Sequence, residues 1–470
     1  MLLKASSQSL TDQLAARFGE RIRNRLLAAG ARLPSVRQCA EQQGVSPSTV
    51  VAAYDQLLAQ GLVEARKNRG FFVREAAVQE PAPGRAGPPQ PPSARGPAPV
   101  NATSLIRGMF HRASNKPQPG MGVLPTEWLE STFLPAAVRK VTTTPSLHSF
   151  SLQYGEPLGD AGLRQALATK LAGLNVPVPA DHIITTVGAT HALDIVSRTL
   201  LRPGDPVMVE EPGWAVEFAR LSALGMHLLP VPRRADGPDL QVMAKYCAVH
   251  KPKLYVSVSV FHNPTSYCLS PGSAHRLLQL ANQHDFHIVE DDTYSHIAPA
   301  HATRLAALDG LQRTIYVGGF AKILAPNWRI GFIAAPEALV EPLLDTKLLT
   351  TLTTPALLEK ALALCIDQGQ LRRHCERIRT RLDLARSRSV KLALQAGCRF
   401  VAEPAGLFGW VDTGVDTDAL SQRMLDEGYL LAPGALFHAQ REPSTLMRIN
   451  FATTQDAAFW KKYGELVRRM

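Results

Sequence analysis

Eight prolines and three glycines stand between Pro81 and Pro99. Proline lacks a backbone N–H and fixes φ, so no helix or sheet interior tolerates that density. The stretch is stiffened instead toward extended polyproline II. A chain interrupted in this way is two folded modules on a spacer: residues 1–75, a linker over 76–100, and a body over 101–470. About 25 linker residues span roughly 28 Å as a flexible coil and up to roughly 78 Å when fully extended.

The two modules differ in charge. Of the formal +11, residues 1–75 carry 11 Lys/Arg against 6 Asp/Glu, an excess about five times denser than in the body. A small basic module on a nearly neutral one implies a polyanion partner for the small part. The 45% hydrophobic and 19% charged composition is that of globular protein and excludes wholesale disorder, collagen and coiled coil. No 18 apolar residues run together and no signal-type start is visible, so a soluble, cytoplasmic protein without a membrane partner is expected. Cys39, Cys247, Cys268, Cys365, Cys375 and Cys398 form no C-x-x-C, which points to reduced thiols and no metal site. His284, His287 and Glu290 straddle a predicted helix end and strand, a poor metal set.

In the front module Leu14, Phe18, Ile22 and Leu26 fall four apart, one apolar stripe on a helix predicted over 10–27. Ser35 with Gln38 opens a second helix as a capping box, and Gly44 supplies the turn that ends it. Ser46 is an N-cap with Pro47 at the first helical position. Val50, Ala53, Tyr54, Leu57 and Leu58 form the inward face of that third helix, while Ser48, Thr49 and Ala52 leave room for a close backbone approach. Two helices on a tight glycine turn make a helix-turn-helix. Arg66, Lys67, Asn68, Arg69 and Gly70 then form a basic hairpin tip between Leu62–Val63 and Phe71–Val73. A small helical protein-interaction domain is the blander reading. The elements L-P-S-x-R, G-V-S-x-x-T-V-x-x-A-Y and R-G-x-F-V resemble the GntR-type winged helix over about residues 8–75. The resemblance implies double-stranded DNA as partner and Arg37, Ser46, Ser48, Thr49 and Arg69 as contacts. Pro47 stands where many relatives carry an arginine.

From about residue 155, strand-like segments alternate with helical ones: HIITTV, PVMVEE, MHLLPV, LYVSVSV, HIVEDD, TIYVGG and RIGFIAA. This is the pattern of a layered α/β domain with a mainly parallel sheet. Ligands in such sheets bind beyond the carboxyl ends of the strands. There Gly188, Ala189 and Thr190 open a helix, a phosphate cradle or merely a turn. Trp214 follows Glu211-Pro212-Gly213, to stack on a flat ring or to fill core. Asn263-Pro264-Thr265, Asp291-Asp292-Thr293-Tyr294 and Gly319-Phe320-Ala321-Lys322 end three more strands. Arg329 comes seven after Lys322, and Arg448 lies near the C-terminus. His296 and His301 fall in a loop bordering these junctions and have no assigned task. The arginine-rich stretch 372–388 reads as an exposed helix face with its stems packed down, a second DNA-contact strip being the alternative.

A lysine amine, a carboxylate and a phosphate cradle suit pyridoxal 5'-phosphate, whose aldehyde needs the amine and whose pyridine nitrogen needs the carboxylate. The set resembles fold-type I aminotransferases over about residues 110–465. The resemblance implies a large part at about 145–345 and a smaller α+β part from about 101–140 plus 350–470. It assigns Lys322 as the Schiff-base lysine, Asp291 as the pyridinium partner, and Asn263 and Tyr294 to the phenolate oxygen. Trp214 would stack on the ring, and Gly188, Ala189, Thr190 and Arg329 would hold the phosphate. Tyr154 would reach the phosphate of a neighbouring subunit, and Arg448 would clamp an amino-acid carboxylate. Gly319 and Ala321 replace serines common in the family, Ser266 replaces a glycine, and Asn327-Trp328 places an indole beside Arg329. Cofactor binding weaker than in an ordinary aminotransferase is therefore expected.

Together the modules resemble the MocR subfamily of GntR regulators. A multidomain architecture is implied, a winged helix-turn-helix plus a fold-type I PLP-dependent transferase. The implied protein is a homodimeric transcription regulator that senses an amine or amino acid by Schiff-base exchange at Lys322. A working aminotransferase with secondary DNA binding, and a cofactor-free dimerisation scaffold, remain alternatives.

Overall fold

The computed structural model describes residues 8–23, 27, 30–66, 69–74 and 116–470. The proline-rich linker, Leu26, Lys67 and Asn68 lie outside the described residues.

The front module begins with α1 (Leu10–Arg23), α2 (Val36–Gln43) and α3 (Pro47–Ala59). Ser35 caps α2 by accepting the Gln38 N–H, and Gly44 ends it in the left-handed region at φ 64°. Ser46 caps α3 by accepting the Thr49 N–H, with Pro47 in its first turn. The predicted inward face is the core: Leu14, Phe18, Val50, Ala53, Tyr54 and Leu57 are buried together. Leu58 packs only at its margin. The Tyr54 ring meets Phe18 and Phe71 edge-on at 5.6 and 5.0 Å, while its hydroxyl donates to the Pro34 carbonyl at 2.9 Å. Strands β1 (Val63–Arg66) and β2 (Gly70–Val73) pair antiparallel from Val63↔Val73 to Arg66↔Gly70, forming the wing.

In the body, eight strands form one sheet in the order β3-β10-β9-β8-β7-β4-β5-β6. They are β3 (Ile183–Thr186), β4 (Pro206–Glu211), β5 (His227–Arg234), β6 (Gly237–Pro238), β7 (Leu254–Ser257), β8 (His287–Asp291), β9 (Thr314–Gly319) and β10 (Gly331–Ala334). The central pairs are parallel. Their side chains alternate between two cores, as a doubly covered sheet requires. Val207, Val209, Val256 and Val289 face one layer, whereas Met208, Tyr255 and Ile288 face the other. Strand β10 runs antiparallel to both neighbours, because the short loop from β9 permits only a return and not a crossover. The strand expected over LYVSVSV stops at Ser257, since the Val258 N–H is taken out of the ladder by Glu210 Oε2 at 2.9 Å.

A second, antiparallel sheet has the order β11-β12-β14-β13, from β11 (Arg399–Phe400), β12 (Phe408–Asp412), β13 (Ala432–Pro433) and β14 (Leu446–Asn450). The arginine-rich stretch belongs to the helix Gln370–Gln395, whose buried face carries Leu371, Cys375, Ile378 and Leu382. All six cysteines are free thiols. Among the described residues no helix is long and apolar enough to cross a membrane.

Candidate functional site

One cavity of about 610 Å³ opens where the carboxyl ends of β4, β7, β8 and β9 meet the small sheet. Ala189, Thr190, Trp214, Asn263, Asp291, Tyr294, Lys322, Arg329 and Arg448 all line it, although more than 250 residues separate the first from the last.

Each arrives for a local reason. Asp291 is the last residue of β8, and its Oδ1 accepts from the Thr293 N–H at 3.0 Å and from the Thr293 hydroxyl. Oδ2 takes no bond from the described residues. Burial pushes this carboxyl up to about 6, against the pull of the Thr293 bonds. Lys322 follows β9 by three residues, and its amine donates to the Gly122 carbonyl at 2.8 Å. Burial, then the Arg448 cation, bring that amine down to about 8. A pKa near 8 makes it a competent nucleophile near neutrality.

Gly188 caps the helix Ala189–Leu200 at φ 79°. A Cβ there would lie 2.4 Å from Arg329 Nη2, so only glycine allows the guanidinium to lie against the helix N-terminus. A helix N-terminus with free N–H groups beside a cation is an arrangement able to hold an anion. Trp214 is the N-cap residue of the helix Ala215–Ala223 and is half-buried at the cavity wall.

Arg448 sits mid-strand in β14, paired with Trp410 of β12 and Ala432 of β13. Its Nη1 donates to Asn263 Oδ1 at 2.8 Å and its Nη2 to the Gly120 carbonyl at 2.5 Å. Phe408 and Phe437 cover the guanidinium at 4.4 and 5.1 Å, and Nε is buried without a partner. Burial lowers its pKa to about 10. Tyr294 is buried, its hydroxyl proton held more tightly than usual by desolvation, with Arg448 and Asn263 opposing.

Several residues named from the sequence land elsewhere. Tyr154 is 85% exposed and outside the cavity. Trp328 packs against the larger core rather than lining the cavity beside Arg329; Asn327 lines it instead. His296 is buried behind β9, bonded to the Gly319 carbonyl at 3.1 Å, while His301 is exposed. Glu290 is a core group, accepting the Leu305 and Ala306 N–H bonds. Ser266 occupies φ 61°, the region its family's glycine would take without strain, and its hydroxyl offsets this by donating to the Phe408 carbonyl at 2.7 Å.

Two further sets carry no recognisable motif. Beneath the cavity, burial works to raise the Glu210 carboxyl, yet Arg233 and His262 hold it at about 2; Tyr255 also donates to it at 2.9 Å. A salt bridge between residues 23 apart leaves no sequence pattern. The other set is the segment Pro119–Val123. The glycine pair of Gly120-Met121-Gly122 is its only signal.

In the winged helix, Ser46, Ser48 and Arg37 are exposed. The Ser46 hydroxyl lies 2.7 Å from Ser48 Oγ and 2.8 Å from Thr49 Oγ1, a cluster of short groups at the start of α3. Arg37 reaches Glu41 only at 3.5 Å, and Arg69 stands exposed at the wing.

Comparison with known proteins gives two family matches: aminotransferase class I and II over residues 125–459, and bacterial regulatory proteins of the gntR family over 10–73. The probable rhizopine catabolism regulatory protein MocR of Rhizobium meliloti is 32% identical, covering 77% of this chain and 73% of its own. An uncharacterized HTH-type transcriptional regulator of Bacillus subtilis, YisV, is 26% identical over 99% of this chain and 98% of its own. Among solved structures, kynurenine aminotransferase of Pyrococcus horikoshii superposes with a TM-score of 0.70 at 25% identity, covering 77% of this chain and 93% of that one.

Proposed function

For a chain that belongs to the aminotransferase class I and II family and carries a gntR-family DNA-binding module, we propose a DNA-binding transcription regulator that senses an amine or amino acid through pyridoxal phosphate at Lys322. The observation that carries this reading is the convergence of Lys322, Asp291, Arg329 and Arg448 on one cavity of about 610 Å³.

The residues present fit the cofactor. Gly188 leaves a cradle that a Cβ would fill, and Asp291 keeps one oxygen without a partner. When bound, pyridoxal phosphate supplies an aldehyde that takes up amines and a ring that withdraws electrons. Lys322 would hold the cofactor through its amine, the group with which an incoming amine would compete. Asp291 would keep the proton on the pyridine nitrogen, and Asn263 and Tyr294 would donate to the phenolate oxygen. Trp214 would cover one ring face. The N-terminus of the helix Ala189–Leu200, Thr190 and Arg329 would hold the phosphate. Arg448 would grip the ligand's carboxylate between Phe408 and Phe437, a desolvated place where a charge-assisted pair is strong.

The same inventory supports a second reading, a working aminotransferase with secondary DNA binding, because no residue of the set is missing. A homodimer in the cytoplasm accompanies either reading, and the 85% exposure of Tyr154 supports a role for it toward a neighbouring subunit. Two winged helices would then meet repeated or palindromic half-sites, with Arg37, Ser46, Ser48, Thr49 and Arg69 against the duplex. An amine and amino-acid screen that follows the cofactor's absorbance, with and without selected operator DNA, separates the readings. A spectral change coupled to DNA affinity without turnover supports the regulator. Sustained turnover with 2-oxoglutarate supports the enzyme.

A further inference from the structure

We propose that residues 116–123 form a strap through which a carboxylate seated on Arg448 alters the docking of the winged helix on the body. The inference rests on the cavity being an amino-acid site and goes further, naming the route by which occupancy reaches α1.

The route begins at Arg448. A guanidinium has two bidentate edges, Nη1/Nη2 and Nε/Nη2, and both contain Nη2. That nitrogen already donates to the Gly120 carbonyl at 2.5 Å, so a ligand carboxylate shares it with Gly120. Nη2 has two hydrogens, and an anion taken on one draws donor strength from the other, so the bond to the neutral Gly120 carbonyl weakens and the strap is released there. Lys322, the other residue a ligand engages, has the Gly122 carbonyl as acceptor for its free amine at 2.8 Å. Both ligand-facing cations therefore address the same short segment.

The strap cannot yield locally. Gly120 lies so close to the small sheet that a Cβ would come 2.3 Å from the Leu431 carbonyl carbon. Asn450 Nδ2 ties down the Met121 and Val123 carbonyls at 2.8 and 2.7 Å. Met121 packs in a cluster with Leu425 and Leu430, and Leu425 is in the last turn of the helix Thr417–Asp426. A shift at Gly120 is thus felt at that helix end.

There the strap and the winged helix share a socket. Three consecutive carbonyls at the electronegative end of a helix receive three cations. Arg21 Nη2 of α1 donates to Leu425 O at 2.7 Å, Arg17 of α1 donates to Asp426 O, and Lys116 of the strap donates to Glu427 O at 2.7 Å. Arg21 Nη1 adds an ion pair to Asp426 Oδ1 at 2.6 Å.

Hydrogen exchange on the full-length, cofactor-loaded protein tests this with two reagents. Aminooxyacetate and methoxyamine share an O–NH2 head that displaces Lys322 from the cofactor, but only the first brings a carboxylate to Arg448. Aminooxyacetate should speed exchange about tenfold at the Gly120 amide and across α1, and methoxyamine should not. In the double variant Arg17→Ala/Arg21→Ala, α1 should exchange quickly from the start while the strap still responds to aminooxyacetate. Equal exchange with both reagents, or a strap response that never reaches wild-type α1, overturns the strap although the spectra change. Spectra unmoved by either reagent remove the amino-acid-site reading and the strap with it.

Discussion

Replacing Gly188 with alanine is the sharpest test of the phosphate cradle. The residue sits at φ 79° and ψ 167°, a region essentially reserved for glycine, where an L-residue costs on the order of 1–3 kcal/mol. The new Cβ would also lie 2.4 Å from Arg329 Nη2 and 2.9 Å from its Cζ, inside any real contact distance. Arg329 is a flexible side chain and swings away, so most of the steric cost appears in ligand affinity rather than in unfolding. A hydrogen bond to a charged group is worth about 1.5–3 kcal/mol, which predicts pyridoxal phosphate bound about 10- to 100-fold more weakly. The assay is an absorbance titration of cofactor-free protein, with a thermal melt to register the strain. Arg329→Ala provides the control: if the Cβ acts through Arg329, adding Gly188→Ala to that variant weakens binding little further. Unchanged affinity in folded Gly188→Ala, or fully additive losses in the double variant, would refute the cradle.

Four other outcomes follow from the site. Lys322 at about 8 loses its proton as pH rises through that value, so the rate of cofactor capture should climb between pH 7 and 9 and then level off. Arg448→Leu removes a cation that lowers this pKa and should move the inflection upward, as stopped-flow absorbance would read. Asp291 is raised to about 6 from 3.8. Its ionised form is thus disfavoured in the cofactor-free fold, and the penalty is absent below about pH 4 and complete above about pH 6. Asp291→Asn should therefore stabilise cofactor-free protein by on the order of 3 kcal/mol at pH 8 and hardly at all at pH 4, measured by denaturant melts. A Cβ at Gly319 would meet the Ala189 N at an ordinary 3.5 Å. Gly319→Ser should then place a hydroxyl at the cradle and tighten cofactor binding about fivefold, the worth of one ordinary hydrogen bond; no gain in the titration would count against the expected weak binding having this cause.

Much of the architecture was legible because it is locally encoded. Ser35, Gly44 and Ser46 mark helix ends by chemistry that acts within four residues, and they cap where expected. The strand ends carrying Asp291 and Lys322 follow from apolar runs closed by polar residues. Beyond local reach the sequence was silent. Strand β7 stops early because Glu210, 48 residues upstream, captures the Val258 N–H. Trp328, the last residue of the 3-10 turn Pro326–Trp328, packs against a core assembled from distant segments. The meeting of Gly120 with Arg448 spans 328 residues and depends on the small sheet having formed.

The proposed sensor depends on a covalent link between the amine of Lys322 and a vitamin B6 aldehyde. Borohydride reduction of the cofactor-incubated protein, followed by peptide mass spectrometry, measures it directly. A stoichiometric phosphopyridoxyl adduct is expected on the peptide containing Lys322, absent from Lys322→Ala. No adduct, or one carried by a different lysine, would contradict it.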